Sequence, residues 1–516
     1  MWVSPARSVS WLGFGVLLGV ACTGPYASTT DSTETDIPCP IGSEGCACTA
    51  GGSCDAPLVC ASNVCVSADS TTGGDVTTTS ASMATANATV AATCSPATDA
   101  LSGDCTDEAA PYCNTKGECV GCTGIASCAG VDPTTPACDA GTGKCVECTV
   151  DDASACADTR PICDAEAQTC RACAAHAECP GSACDLGTGS CFPVDQALHV
   201  AASGGCDDNG DGSAATPLCS IKAALAKVAQ GPKATARAVL VRGGTYTDLL
   251  VVPAGYTVAL LKDGTTAPRL TGKGAESLRV EAGARVFLDG LEIRGNTGGT
   301  GLACASADLW IDDTIVAEHT GGVSGTNCTT RMRGTIVAKN SSEGLLVTGG
   351  SLRLENGFVS DNGSITGRGG VALAGGAALD VVYSTLYGNV ASIGMGHSID
   401  CDGDAGAEAV TVRNAILFNL SGWATVNCGG TEDIAHSAVS AETSGMQDTN
   451  LGVSEGDQAM MVTPDGKLLG VYRPVPGSTM ADVGLWEQGD PGSDYRRPSV
   501  VGGGRGHPPI LATVMP

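Results

Sequence analysis

Aromatic residues make up only 3% of this 516-residue chain, with five Trp, eight Tyr and five Phe, which excludes one large globule packed around rings. Several smaller modules are expected instead. Basic residues are scarce too: 27 Lys and Arg stand against 55 Asp and Glu, for a formal net charge of -28. Nucleic acid is thereby excluded as a partner, because phosphate binding needs clustered Lys and Arg. A long polyanion is disfavoured unless a local basic patch or calcium offsets the field. The acidity itself suits solvation of an extracellular surface. Long apolar runs are also missing. Trp11 to Val20 follows Arg7 and is too short for a membrane span of about 20 residues. With the small residues leading to Cys22 it reads as a signal peptide over residues 1–21.

Cysteine and glycine are what the chain has in quantity, 29 and 72 residues. Leu18-Gly19-Val20-Ala21-Cys22 resembles a bacterial lipoprotein cleavage box, with Gly19 where that family prefers Leu. The resemblance implies lipidation of Cys22, a membrane attachment through that lipid alone, and an outer-membrane lipoprotein exposed at the cell surface. The 28 cysteines that remain are an even number, as complete pairing in an oxidising compartment requires.

Residues 22–38 and 66–93 are rich in Ser, Thr, Ala and acidic residues without apolar periodicity, and read as a tether and a linker. Between them, residues 39–65 hold six cysteines and too little apolar mass for a core, so three disulfides are expected to hold that module. Residues 94–191 carry four groups of four cysteines, each closing on a similar phrase: CNTKGEC, CDAGTGKC, CDAEAQTC or CDLGTGSC. The borders Cys119/Cys122, Cys145/Cys148 and Cys170/Cys173 have CxxC spacing, but secretion favours disulfides over zinc. Two disulfides per repeat, in any of three pairings, would build a semi-rigid rod holding a head away from a surface.

The head is residues 196–500, followed by a tail over 501–516. From Phe287 to Cys428 one phrase is written six times. Aligned on Asn296, His319, Asn340, Asn362, Asn389 and Asn419, the residue three places earlier is Ile293, Val316, Val337, Val359, Leu386 or Ile416. Eight places earlier stand Leu288, Ile311, Met332, Leu354, Val381 and Thr411, with Val412 taking that role if the last rung is a residue shorter. A period of 21 to 30 residues, built from short alternating runs rich in Val, Ile and Thr, specifies strands in a solenoid. The expected fold is all-β, a right-handed parallel β-helix preceded by small disulfide-rich modules and flexible linkers. Its rungs would lie roughly 4.8 Å apart, with the aliphatic columns inside and the Asn column forming an amide ladder interrupted by His319. Neighbouring rungs would then place Cys304 beside Cys328 and Cys401 beside Cys428, within bridging distance.

The stretch from His199 to Ala229, with AVLVRGGTYTD after it, resembles the opening of many bacterial proteins of the pectin-lyase-like superfamily. Ala481 to Glu487, ADVGLWE, is similar to the phrase that closes such β-helices. The resemblance covers roughly residues 198–498 and implies the fold far more than an activity. A helix over Ser220 to Ala229 would place Ile221, Leu225 and Val228 on one face, as a plug over the open coil. Cys206 and Cys219 would close the preceding loop. Asp207, Asn209, Asp211 and Gly212 match the start of an EF-hand calcium loop, although position twelve is Leu218 rather than Glu.

Residues seven and nine places before each ladder position point outward. One outward column runs Asp289, Asp312, Arg333, Glu355, Val382, and the other runs Phe287, Trp310, Arg331, Arg353, Asp380. Two aromatics, three arginines and interspersed carboxylates make a face suited to a polysaccharide or cell-surface glycan, through ring stacking and Arg–uronate pairing. Asp289 and Asp312, as like charges on adjacent rungs, are the acid and base candidates if the face is catalytic. A ladder of surface charges, with Asp312, Arg333 and Glu355 alternating in sign, is the plainer reading of the same residues. Asp400, Asp402 and Asp404, with His397 before them, form either a cation site or an acidic turn. The Asn-x-Ser/Thr sites at Asn340, Asn362 and Asn419 fall on the amide ladder and lose meaning in a bacterial protein. No stretch matches the local motifs of pectate lyases or polygalacturonases. Three functions therefore stand: an anchored glycan binder without turnover, a polysaccharide lyase or glycoside hydrolase, and an envelope spacer.

Overall fold

The computed structural model describes residues 58–61, 64–67, 93–95, 99–402, 408–419, 424–429, 432–440, 450–453, 461–462 and 473–474. The expected signal peptide and tether, Cys22, most of the expected six-cysteine module and linker, Asp404, the phrase at Ala481 and residues 501–516 lie outside these residues. The chain divides into two compact units, Met1–Thr89 and Val90–Pro516. In the first, Leu58–Ala61 pairs antiparallel with Val64–Ser67, opposing Cys60 to Cys65.

The four cysteine repeats open the second unit. Each joins its first cysteine to its third and its second to its fourth, from Cys94–Cys113 and Cys105–Cys119 to Cys173–Cys184 and Cys179–Cys191. The sulfurs of the CxxC borders are therefore spent in disulfides of different repeats. The recurring phrase encodes a turn. After each third cysteine, Asn114, Asp139, Asp164 or Asp185 accepts the N–H two residues on. Three or four residues after it in the turn, Gly117, Gly143, Gln168 or Gly189 adopts positive φ, 53 to 78°, where glycine is the easiest occupant. The carbonyl of that residue accepts the N–H of the repeat's first cysteine.

The head is a parallel β-helix of three sheets, two with ten strands and one with eight among the described residues. The first sheet contains Arg237–Arg242, Thr257–Asp263, Arg285–Asp289, Asp308–Asp312, Thr329–Arg333, Ser351–Glu355, Ala378–Val382 and Ala409–Arg413, each paired parallel to the next. Leu288, Ile311, Met332, Leu354, Val381 and Val412 follow one another in register, so the last rung is indeed the shorter one. With Ile293, Val316, Val337, Val359, Leu386 and Leu417 they form a continuous buried core. Leu417, not Ile416, pairs with Leu386 for the same reason. Disulfides Cys304–Cys328 and Cys401–Cys428 staple adjacent coils, with Cα atoms 6.5 and 4.8 Å apart.

The corners explain the Asn and Gly content. Between the first and second sheets Gly290, Asp313, Gly334, Asn356, Tyr383, Asn414 and His436 all have positive φ, and a second such column runs Gly295, Glu318, Lys339, Asp361, Gly388. Each turns the chain by a left-handed residue, and those from Gly290 to Asn414 and from Gly295 to Gly388 donate their N–H to the coil above. Immediately after the second column lies the amide ladder. Asn362 accepts the backbone N–H and the side-chain amide of Asn340, at 3.1 and 2.8 Å, and donates to Asn389 and to the Val337 carbonyl. His319 replaces an amide by placing its ring nitrogens 3.0 Å from the Ile293 carbonyl and 3.3 Å from that of Asn296. The helix Ile221–Gln230 is capped by Ser220, whose hydroxyl accepts from Ala223, and its buried face of Ile221, Ala224, Leu225 and Val228 closes the first coil.

The cysteine repeats do not simply hold the head at a distance. The fourth repeat packs on the outer face of the first sheet, where Ala183 and Phe192 share a core with Ala238, Leu240, Ala259, Leu261 and Phe287. Outward apolar residues on the first three of those rungs need a cover, and this repeat supplies it.

Candidate functional site

The predicted outward columns exist in register. Phe287, Trp310, Arg331, Arg353 and Asp380 are successive strand partners, and so are Asp289, Asp312, Arg333, Glu355 and Val382. Phe287, however, is not available to a ligand. It is wholly buried between Phe192 and His176, both edge-on at 5.7 and 5.9 Å, and Trp310, stacked at 4.7 Å. Its role is to seat the fourth repeat. Trp310 is half-buried, with one face on Phe287 and the guanidinium groups of Arg285 and Arg331 at 5.4 and 5.5 Å from its ring. Asp185 holds Arg285 in place through two bonds of 3.0 and 2.9 Å.

Beyond Trp310 the face is open. A hollow of about 580 Å³ is walled by Cys173, Ala174 and Leu186 of the fourth repeat and floored by Trp310, Asp312, Arg331, Arg333, Arg353 and Glu355. It adjoins a second of about 540 Å³, which shares Arg331 and Arg353 and extends past Asp380 to Thr411 and Arg413. The cations differ in how they are engaged. Arg333 donates to Asp312 at 2.7 Å, and Arg353 pairs with Asp380 and Glu355. Arg331 is exposed and has no ion-pair partner among the described residues.

Both predicted carboxylates are perturbed. Burial, with the charges of Asp313 and Asp312 beside it, pushes Asp289 up to about 6. Burial also pushes Asp312 up to about 6, although Arg333 opposes the shift. Only Asp312 borders the groove. Asp313, beside both of them, escaped the sequence reading because corner residues lie outside the two-residue alternation; Lys262, near the end of its strand, adds a cation beside Asp289. His176, Asp185 and Arg285 escaped it as well. Asp185 occupies the same turn position as Asn114, Asp139 and Asp164, and nothing local marks its partner 100 residues away. His176 accepts the Cys184 N–H at Nδ1, while its buried Nε2 has no partner among the described residues, and burial and then Arg333 depress its pKa to about 4.

The other candidate sites are self-satisfied. Asp207 accepts the Asn209 N–H, and Asp211 accepts from Ser213 and the Thr216 hydroxyl, in the loop closed by Cys206–Cys219. Asp400 accepts from Gly396 and Asn427, and Asp402 pairs with Arg368 at 3.0 Å. The clusters of potential metal ligands among the described residues are the cysteines of the four repeats, all disulfide-bonded.

Residues 81–197, which take in the four cysteine repeats, match a family described as one of unknown function (DUF8331). No curated protein matches the chain. Among solved structures it is similar to pectate lyase Pel9A, with 16% identity and a TM-score of 0.40 over 58% of this chain and 94% of that one. A rhamnogalacturonan lyase gives 11% and 0.29, over 54% and 95% of the two chains. A GH136 lacto-N-biosidase from Eubacterium ramulus gives 10% and 0.26, over 50% and 68%. These likenesses concern the fold alone.

Proposed function

We propose that the chain is a cell-surface anchored protein that binds an acidic polysaccharide along the outer face of the first sheet without cleaving it. One observation carries the reading: an open groove with a half-exposed Trp310 at one end and an arginine free of carboxylate partners beside it, in a chain of net charge -28. A guanidinium with no carboxylate partner among the described residues can take a uronate carboxylate in a bidentate pair, and the exposed edge of the indole can pack against a sugar. A lipid on Cys22 would supply the anchor.

Titration of the full chain with polyuronates and with neutral glycans tests it. Saturable binding of a polyuronate is expected, weakened about tenfold in Arg331→Ala and by added salt, as loss of one charge-assisted pair implies. Failure of every glycan to bind refutes the reading. The raised Asp312 on the groove floor favours a second one, a lyase or glycosidase in which Asp312 serves as acid or base; Asp289, the other candidate, lies outside the groove. Unsaturated or reducing ends released by the wild type and not by Asp312→Asn would establish that one instead.

A further inference from the structure

The groove is open along the stack of rungs in one direction only. On the N-terminal side the fourth cysteine repeat covers the outer column, burying Ala238, Leu240, Ala259, Leu261 and Phe287. Its edge then stands directly against Trp310. A Cβ added to Gly187 would collide with the Arg285 guanidinium and approach the Trp310 ring to 3.3 Å, so no space for a ligand separates the repeat from that rung. The Asp185–Arg285 pair fixes this edge, and Cys173, Ala174 and Leu186 wall the groove there. On the C-terminal side the groove passes Arg331, Arg353, Asp380 and Thr411, with no obstruction among the described residues. From the Trp310 rung to the Thr411 rung there are four steps of about 4.8 Å, roughly 19 Å of open floor.

We infer that the groove is blind at Trp310 and takes the end of an acidic polysaccharide chain rather than an internal segment. The inference rests on the glycan-binding reading and specifies its substrate class. A polymer lying along the stack cannot continue past Trp310, because the strand positions it would cross hold Phe287 and the covering repeat. The terminal sugar therefore abuts the groove-side edge of Trp310, with Ala174 and Leu186 beside it and Arg331 within reach of its carboxylate.

The test uses the full oxidised chain and galacturonate oligomers of increasing length, each with free ends, with the reducing end conjugated to a bulky tag, or with the non-reducing end modified. Affinity per mole of chains is expected to level off once the oligomer fills the open floor and to stay flat for long polymers. Blocking one end should lower affinity at least tenfold, and blocking the other should leave it unchanged. Ala174→Trp adds bulk to the wall at an exposed position and should weaken binding of every length. Molar affinity that climbs in proportion to length, with both blocked forms and Ala174→Trp binding normally, would overturn the inference while leaving the binding reading intact. Absence of binding by all oligomers and polymers would remove both.

Discussion

Asp289→Asn should make the protein more stable at neutral pH, and only there. Burial and the nearby Asp313 and Asp312 raise the Asp289 carboxyl from 3.8 to about 6 in the folded chain. An acid that is weaker folded than unfolded favours the folded state fully below pH 3.8, and that contribution is lost as the pH climbs through 6. Above pH 6 the ionised form burdens the fold. Two units of pKa set an upper bound of about 3 kcal/mol, and the partial solvent access of Asp289 reduces this to roughly 1–2 kcal/mol. Asn carries no charge to desolvate, so its advantage should grow between pH 4 and 6 and then level off. Each kcal/mol corresponds to roughly 2–4 °C of melting temperature for a domain of this size. Thermal unfolding of the oxidised chain, followed by circular dichroism from pH 4 to 8, measures it directly. A gain at pH 4 equal to that at pH 7.5, or a loss at pH 7.5, would refute the electrostatic account. Asp312→Asn supplies the comparison: its carboxyl is raised to about 6 as well, but the change also removes the charge paired with Arg333 at 2.7 Å, so a smaller gain at pH 7.5 than that of Asp289→Asn is expected.

Phe287→Ala should cost about 3–5 kcal/mol of local packing and free the fourth repeat, seen as faster amide exchange over residues 173–191 with the distal rungs unchanged. Asn362→Ala leaves the buried N–H of Asn340 and its amide without their acceptor; about 1–3 kcal/mol is expected in denaturant unfolding, with Asn340→Ala adding less than its own single cost. Replacing Cys304 and Cys328 together by Ser, across a separation of 24 residues, should lower stability by roughly 3 kcal/mol in the same assay. Acid should loosen the fourth repeat: His176 is held neutral with a pKa near 4 against an ordinary 6.5, so its contribution is intact above pH 6.5 and lost as the pH falls through 4. Amide exchange over residues 173–191 should rise across that window in the wild type and lose this dependence in His176→Phe.

The stacked interior was legible because it is local. A column of Leu288, Ile311, Met332 and Leu354 recurs at a nearly fixed distance before the ladder residue, and parallel register converts that spacing into contact without reference to any other part of the chain. The outward columns were legible by the same parity. Their exposure was not, since Phe287 and Trp310 have the same alternation whether water or another module lies over them. What covers Phe287 comes from Phe192 and His176, about 100 residues away in a segment with its own repeat. The left-handed corners are a third case. Gly and Asn announce such turns, but Tyr383, Glu318 and His436 occupy them too, held there by rung pairing against their intrinsic preference.

A single outward column records where cover ends and groove begins. In register it reads Ala238, Ala259, Phe287, Trp310, Arg331, Arg353, Asp380, changing from apolar to charged at the rung where the fourth repeat stops. Trp310 stands at the change and belongs to both halves, with one face stacked on Phe287 and its remaining surface in the groove. The seat of the repeat and the floor of the groove are therefore one continuous ring stack, tied across by Arg285 to Asp185. Loosening the repeat must free the Trp310 ring and open the blind end at once. Phe287→Ala should accordingly change which part of a glycan is held, letting internal segments enter, even though Phe287 itself never meets the ligand.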